Sequence, residues 1–358
     1  MGFLDWLAKA LSGGESQSIS MRRMKLRATA ALDANLLNTY GLPYLRDRDE
    51  LADAMGIPRP MLDWLTFPDT TDEPPHYISF AIPKASGGYR VLYAPKPRLK
   101  QAQRWVLRNI LDNVRPLPTA HGFNRGHSIH TNAAQHTNKE LVVTLDLQDF
   151  FPSITYRRVR GIFQSFGYSE ATAIPLAMLC TVKPAPQVRE FLGHIRHRML
   201  PQGAPTSPAL ANLACRNLDA RLTALAQKLD ATYTRYADDI TLSGNETFAC
   251  SLKRTVPLLR RIIEDKGFRI NPKKTHFARQ GARQKVTGLV VNQGPSVPRL
   301  TRRRLRAILH NAQKTGLEAQ NLTGHPHFAQ SLRGQIEFIG TTHPDLAARM
   351  LTQLNALG

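Results

Sequence analysis

The alternation of apolar and polar residues predicts strands in several parts of the chain. "YISFAIPK" and "YRVLYAP" alternate on either side of a Gly-containing turn, which predicts a hairpin with Lys84 and Arg90 near its tip. The β-branched run in "ELVVTLDLQDFFPSI" is typical of a buried strand whose last residues emerge at a site. A further strand, followed by a turn, is predicted in "GFRINPKKTHF".

Other segments repeat apolar residues every three or four positions, which is the spacing of amphipathic helices. This pattern occurs in "RLKQAQRWVLRNILDNV", in the long segment after "LPQGAPTSP", and near residues 247–266. "TRRRLRAILHNA" has arginines on one face and apolar residues on the other, namely Leu305, Ile308, Leu309 and Ala312. Residues 1–70 are predicted to form a helical extension without recognisable chemistry.

Two adjacent acids stand between alternating runs in "TRYADDITL". β-forming residues flank Asp238 and Asp239, so both carboxylates are predicted at the tip of a hairpin. Like charges this close raise each other's pKa unless a cation lies between them, and a divalent ion that prefers oxygen ligands can supply that charge. Asp146, near the end of the buried strand, is the third candidate carboxylate. Three such acids on adjacent strands can hold two Mg²⁺ ions for phosphoryl transfer.

The charge of the chain indicates a polyanionic partner. Its 358 residues carry a formal net charge of +21 at pH 7, and 42% of them are hydrophobic, as in a globular protein of two or three subdomains. Residues 253–314 contain 17 Lys and Arg against 2 acids. Lys and Arg bind phosphates with release of counterions, so RNA contact is favoured over a merely solvated helix face for the run Arg302–Arg306.

The cysteines and the apolar runs indicate the cellular compartment of the protein. Cys180, Cys215 and Cys250 lie far apart, which favours a reducing compartment over a disulfide framework. No run approaches the length of a membrane span, and the start of the chain lacks a signal-peptide core. A cytoplasmic protein without membrane contact is therefore expected.

The order of motifs resembles the palm of reverse transcriptases. A strand ending in Asp is followed by "LPQGAPTSP", which opens a helix, and then by Tyr-Ala-Asp-Asp. "NAAQH" at 132–136 and "VTG" at 286–288 match elements of retron reverse transcriptases and fall at the expected places in this order. From about Tyr77 to about residue 350, the chain thus resembles a bacterial retron-type reverse transcriptase.

This resemblance implies an α+β right-hand polymerase and roles for particular residues. Asp146, Asp238 and Asp239 would bind two Mg²⁺ ions, with the carbonyl of Leu147 close by. Lys274 would donate a proton to the departing pyrophosphate. The nucleotide would be bound by Lys84, Arg90, Phe151, Gln202 and Gly203, with Phe151 excluding a 2′-hydroxyl by its shape. The residues expected to contact RNA are Asn132, His136, Val286, Thr287, Gly288, Arg302, Arg303 and Arg306.

The resemblance also implies a domain order and partners. Residues 71–140 would begin the fingers, 141–290 would form the palm with a fingers segment near 152–200, and 291–358 would form the thumb. The expected partners are dNTPs, a cognate structured non-coding RNA and its DNA product, which in this family is branched through a 2′-5′ linkage. A role in anti-phage defence with a separate effector protein is also implied, since no further domain is visible after "LRGQIEFIG".

Several alternatives remain open from the sequence. The chain could be another bacterial reverse transcriptase, such as a group II intron protein, or a catalytically idle RNA-binding scaffold. The three acids could be solvated turn residues, and Phe151 could belong to the core. Asn132 and His136, four residues apart, could be a capping or packing pair.

Overall fold

A computed structural model describes residues 32–67, 76–84, 87–193 and 195–357. Residues 1–31 of the predicted helical extension lie outside these ranges. The described chain begins with three short helices, each stopped by the local sequence. Asp33 and Asp47 cap the first two, and Gly41 and Gly56 end them in the left-handed conformation. These helices are α1 (Ala34–Tyr40), α2 (Arg48–Met55) and α3 (Arg59–Thr66).

An antiparallel hairpin and a basic helix follow, as the pattern predicts. The hairpin consists of β1 (Tyr77–Pro83) and β2 (Tyr89–Pro95). α4 (Pro97–Asn109) begins with Pro at its first position and buries Leu99, Ala102 and Val106. α5 (Ile129–Ala134) is a short helix with a capping box at Ser128.

The centre of the molecule is a four-stranded antiparallel sheet backed by helices. Its strand order is β4-β5-β3-β6, which places the predicted buried strand β3 between two partners. β3 is buried along nearly its whole length. The elements of this region are β3 (Leu141–Leu147), α6 (Phe150–Ser153), α7 (Tyr156–Ser165), α8 (Glu170–Cys180), α9 (Ser207–Lys228), β4 (Ala231–Tyr236), β5 (Asp239–Gly244), α10 (Glu246–Asp265) and β6 (Ile270–Arg279).

The C-terminal part builds a second hydrophobic core. Leu305, Leu309 and Ala312 are buried there, as the helical spacing predicts, and Ala133 and Val142 join it from the central region. Its elements are the small hairpin β7 (Lys285–Val286) and β8 (Leu289–Val290), and the helices α11 (Arg299–Thr315), α12 (Phe328–Gly340) and α13 (Pro344–Asn355). The remaining buried apolar residues form one larger core around the sheet.

The predicted mixture of helices with an antiparallel sheet is confirmed, with one local difference. The segment predicted as a strand and a turn is the single ten-residue strand β6, whose pairing with β3 shifts register between Thr144 and Asp146. This irregularity lets β6 continue through Asn271 and Pro272, residues that otherwise indicate a turn. In the described part of the chain, no helix has the length and apolar character needed to cross a membrane.

Candidate active site

The strand register brings the three candidate carboxylates together at one end of the sheet. β3 and β5 are antiparallel neighbours, and Asp146 lies directly opposite Asp239 in their register. The turn that carries Asp238 is tied to β3, because the Leu147 amide donates to the Asp238 carbonyl at 3.0 Å. Residues 93 positions apart in the chain therefore meet across one strand pair.

The electrostatics of this end of the sheet oppose ionisation of the two adjacent acids. Burial raises the pKa of Asp238, and repulsion from Asp146 adds to the increase. Burial, followed by repulsion from Asp238 and Asp146, raises the pKa of Asp239 to about 6. Asp239 is nevertheless exposed by surface area, so water screens part of this repulsion.

Asp146 is engaged by two polar side chains of β6. Lys274 Nζ lies 2.9 Å from Asp146 Oδ1, and Asn271 Nδ2 donates to Asp146 Oδ2 at 3.2 Å. The hydrogen bond to Asp146 raises the pKa of Lys274, whose side chain is half exposed. Within the ranges that the structure covers, no three His, Cys, Asp or Glu side chains are arranged to hold a metal ion, so Asp146, Asp238 and Asp239 are neighbours that do not form a complete ligand set in this conformation. Because Lys274 Nζ already contacts Asp146 Oδ1, a divalent ion there would share the carboxylate with Lys274 or displace it.

Replacement of Asp239 with Asn is expected to stabilise the protein in EDTA at pH 8. The pKa of Asp239 is about 6 in the folded protein and near 4 in the unfolded chain. The free energy of unfolding therefore decreases as the pH rises from about 4 to about 6, and it stays lower above that range. After allowance for screening, we expect a gain of about 1 kcal/mol that disappears near pH 4. Urea unfolding of Asp239→Asn, beside the exposed control Asp112→Asn, measures it. If the wild type, Asp239→Asn and Asp112→Asn were equally stable at pH 8, burial and repulsion would not destabilise the ionised Asp239.

The candidates for nucleotide binding lie on several different elements. Arg90 on β2 lies near enough for its charge to lower the pKa of Asp238, whereas Lys84 is exposed where β1 enters the hairpin turn. Of the two adjacent phenylalanines, Phe150 is buried and stacks on Phe268 at 5.7 Å, and Phe151 is only partly buried. The structure thus leaves Phe151, and not Phe150, with surface to offer a substrate.

Gln202 and Gly203 lie directly against β2. The Tyr93 amide donates to the Gln202 carbonyl at 2.8 Å. Gly203 has a φ of +115°, and a Cβ at this position would lie 2.9 Å from the Tyr93 carbonyl oxygen. Only glycine fits both the conformation and the close approach, so this segment holds the hairpin beside the sheet.

A fully buried arginine beneath the acidic turn is a feature that the sequence reasoning missed. Arg235 on β4 pairs with Asp219 on α9 through Nε to Oδ1 and Nη2 to Oδ2, both at 2.7 Å. Tyr233 donates its hydroxyl to the same carboxylate at 2.6 Å. Arg235 Nη1 also donates to the Ala237 carbonyl at 3.0 Å and to Asn212 Oδ1 at 3.1 Å. The arginine therefore connects α9 to the turn that carries Asp238.

The acidic turn is further fixed by a close backbone contact. Ala237 has a φ of +56°, a left-handed conformation that is uncommon for alanine. A Cβ on Gly122 would lie 2.5 Å from the Ala237 nitrogen, so only glycine allows this approach. Asn212 Nδ2 donates to the Gly122 carbonyl at 2.8 Å and links this contact to the network of Arg235. The strained turn is thus held from two sides.

The structure places Asn132 and His136, the two residues of "NAAQH" that were expected to contact RNA, in the interior. Asn132 is 1% exposed and His136 is 0% exposed. The His136 ring makes hydrogen bonds of 2.7 Å to Ser243 Oγ on β5 and Thr234 Oγ1 on β4. Burial lowers its pKa to about 3, so the ring is neutral at physiological pH. The packing alternative describes these positions best, and any effect of the two side chains on RNA would have to be indirect.

The "VTG" residues belong to the hairpin of β7 and β8, against α5, with Val286 ending β7 and Thr287 and Gly288 forming the turn. Val286 is buried in the second core, and Thr287 Oγ1 donates to the Ile129 carbonyl at 3.2 Å. Thr287 and Gly288 both have positive φ, and both are partly exposed. The two motifs that mark the retron resemblance thus lie near each other, since Ala133 and Val286 share the second core, and their exposed or partly exposed residues are Ala134, Gln135, Thr287 and Gly288.

The arginines of α11 are not equivalent. Arg303 and Arg306 are exposed, whereas Arg302 is partly buried and donates from Nε to the Val297 carbonyl at 3.1 Å. Of the arginines proposed for RNA contact, Arg303 and Arg306 therefore have side chains free to reach a phosphate, while Arg302 also supports the start of the helix.

Comparison with known proteins groups the chain with polymerases that copy RNA. The family described as "Reverse transcriptase (RNA-dependent DNA polymerase)" matches residues 82–318. Retron Mx162 reverse transcriptase of Myxococcus xanthus is 42% identical over 338 residues, 88% of this chain and 68% of that protein. Retron Ec86 reverse transcriptase of Escherichia coli is 34% identical over 90% of this chain and 95% of its own length. A foamy viral protease-reverse transcriptase solved in complex with ds DNA shares 15% identity and a TM-score of 0.37, covering 79% of this chain and 44% of that chain.

Proposed function

We propose that this chain, which belongs to the retron reverse transcriptases and is an RNA-directed DNA polymerase, copies part of a cognate structured non-coding RNA into DNA. The DNA product would be branched through a 2′-5′ linkage. The observation that carries the chemistry is the register of Asp146 against Asp239, next to Asp238. A group II intron-like polymerase is less consistent with relatives that are retron enzymes. An idle scaffold is less consistent with three retained acids that repel one another.

The carboxylates suit two Mg²⁺ ions, and reverse transcriptases generally use divalent metals. The donor set consists of hard oxygen ligands, and the pKa values of Asp238 and Asp239 are raised first by burial and then by repulsion from neighbouring acids, a cost to the ionised carboxylates that a bound cation would relieve. Asp146, Asp238 and Asp239 would hold the ions, with the Leu147 carbonyl as a further oxygen. When bound, the ions would activate the attacking hydroxyl and stabilise charge on the leaving phosphate.

The surrounding residues would bind and orient the nucleotide. The positive charge of Arg90 lies close enough to lower the pKa of Asp238. Its guanidinium can therefore hold a triphosphate beside the carboxylates, with Lys84 at the hairpin tip. Gln202 and Gly203 would line the pocket from the side of β2. The pKa of Lys274 is raised, so its ammonium remains protonated and can donate a proton to the departing pyrophosphate.

Replacement of Phe151 with Ala is expected to admit ribonucleotides. The partly buried ring would lie under the incoming sugar and reject a 2′-hydroxyl by steric overlap. Removing it should lower the preference for dNTPs over NTPs by roughly 10- to 100-fold, since a pocket that discriminates by shape typically yields 1–3 kcal/mol. Single-nucleotide incorporation with dGTP and GTP measures the ratio. Unchanged discrimination would show that another residue excludes the hydroxyl.

Beyond the site, the proposal assigns regions and partners. Residues 71–140 and the segment near 152–200 would form the fingers, 141–290 the palm, and 291–358 the thumb, whose residues supply most of the second core. The exposed Arg303 and Arg306 on α11 would contact RNA phosphates. We further propose a cytoplasmic role in anti-phage defence with a separate effector protein. The free thiols of Cys180, Cys215 and Cys250 accord with a reducing compartment.

The decisive experiment examines both the activity and its product. The protein is purified with its co-expressed RNA, and the nucleic acid that remains bound is sequenced. Primer extension on an RNA template, with Mg²⁺ and dNTPs, should yield DNA, and the co-purified DNA should be joined to RNA through a 2′-5′ linkage. Linear cDNA alone would favour the group II-like alternative, and absence of any DNA synthesis would overturn the proposed function.

A further inference from the structure

A basic cavity lies along α4, on elements that do not carry the candidate carboxylates. Its volume is about 650 Å³, and its lining residues fall between Pro95 and Asn109. The carboxylates belong to β3, to β5 and to the turn before β5. The cavity is therefore built from a different part of the chain than the candidate active site.

Three cations of α4 line this cavity. Lys100, Arg104 and Arg108 follow one another at intervals of four residues, so they share one face of the helix at steps of about 6 Å along its axis. All three are exposed, and none pairs with a carboxylate in the described part of the chain. α4 itself contains no acid. This row of uncompensated charge is suited to successive phosphates of an extended strand.

An aromatic side chain stands among these cations. Trp105 is partly buried, packing against the main core while also lining the cavity. Gln101 and Asn109 add polar groups to the same lining. Cations that follow a backbone, combined with an aromatic face on which a base can stack, are the features by which proteins bind single-stranded nucleic acid. A surface for duplex would use the cations without the ring.

We propose that this cavity binds a single-stranded segment of RNA, with phosphates on Lys100, Arg104 and Arg108 and a base stacked on Trp105. The inference deepens the proposed function, on which it rests, because it assigns a second RNA contact away from the chemistry. The ligand is recognised by its charge and its unpaired base, and no base sequence is implied.

The first test measures binding of a labelled oligouridylate to the full chain across a range of salt. The triple variant Lys100→Gln, Arg104→Gln, Arg108→Gln is compared with a control of equal charge change, Lys183→Gln, Lys228→Gln, Arg349→Gln, whose residues are exposed and lie outside the basic segment 253–314. Loss of three phosphate contacts should reduce the slope of log K against log salt by about 2 and weaken binding roughly 10- to 50-fold at 0.15 M salt. Equal effects in both triple variants would overturn the proposal.

The second test isolates the stacked base. Trp105→Leu keeps apolar packing but removes the ring, and should weaken oligouridylate binding by about 5- to 100-fold, while Trp105→Phe should restore most of it. Binding of an RNA duplex should change little in Trp105→Leu. An equal loss for duplex, or displacement of the oligouridylate by a poly-glutamate peptide at equal charge concentration, would overturn the assignment to single-stranded RNA.

The two proposals can fail separately. Extension of a fully annealed primer on a short template should persist in both triple variants, since the substitutions leave the carboxylates untouched. If the wild type makes DNA but the α4 variants bind oligouridylate normally, only the cavity proposal is wrong. If the wild type makes no DNA while the α4 variants still lose binding, only the proposed polymerase function is wrong.

Discussion

Asp238→Ala is expected to abolish DNA synthesis while leaving RNA binding nearly intact. The substitution removes one of three carboxylates that the strand register brings together, and with it an oxygen ligand for the proposed ions. Loss of several kcal/mol of charge stabilisation in the transition state corresponds to a decrease of roughly 10³-fold or more in rate. RNA affinity should stay within about twofold, since the cations proposed to bind RNA phosphates lie on other elements. Primer extension and filter binding on one preparation measure both.

The control for this prediction is Asp112→Ala, which removes one exposed acid outside the site. It should retain wild-type synthesis and affinity, so a loss specific to Asp238 cannot reflect net charge. Asp238→Ala should also be at least as resistant to urea in EDTA, because burial and repulsion disfavour the native carboxylate. Synthesis at more than a few per cent of the wild-type rate would remove Asp238 from the catalytic assignment.

The sequence predicted the acidic site because its signals are local. Alternating residues around Asp238 and Asp239 and the β-branched run before Asp146 predict the strands that the structure contains. Membership of the reverse transcriptase family confirms the right-hand polymerase fold that the motif order implied. What the sequence could not give is the register of β3 against β5, since that pairing joins residues about ninety positions apart.

Residues whose roles depend on packing between distant elements were the ones that sequence reasoning misjudged or missed. His136 was expected at an RNA surface, yet it is enclosed between β4 and β5, where its neighbours Thr234 and Ser243 are supplied by other parts of the chain. Arg235 stands beside the acids and gives no local indication of burial. A signal did exist on α9, where Asp219 shares the apolar face with Cys215 and Leu222, because an acid at a core position needs a buried partner.

Removal of that buried partner is expected to have the largest effect on stability. Asp219→Ala leaves Arg235 with a 0% exposed guanidinium and no counter-charge, which should cost roughly 3–5 kcal/mol of unfolding free energy. Tyr233→Phe removes only one hydrogen bond to the same carboxylate and should cost about 1–3 kcal/mol. Urea unfolding followed by circular dichroism measures both. Equal, small losses of unfolding free energy in the two variants would mean that water reaches the ion pair of Arg235 with Asp219.

A double substitution separates the stability of this network from its effect on the acidic turn. Asp219→Leu with Arg235→Met removes both charges, so stability should return to within about 1–2 kcal/mol of the wild type. The Ala237 carbonyl would still lack its donor, and the left-handed turn that carries Asp238 would be held from the Gly122 side alone. Because small displacements of reacting groups are costly, synthesis should remain roughly 10- to 100-fold low at saturating dNTP, with a raised Mg²⁺ requirement.

The outcome of this double variant decides what Arg235 contributes. Recovery of stability without recovery of synthesis would establish Arg235 as a positioning residue that acts through the Ala237 carbonyl. Recovery of both would show that its ion pair with Asp219 serves folding only, and that the contact of Gly122 with the turn is sufficient to hold the carboxylates. The conservative variant Arg235→Lys keeps the charge but not the fork that reaches Asp219 and Ala237 together, so it should keep stability better than synthesis.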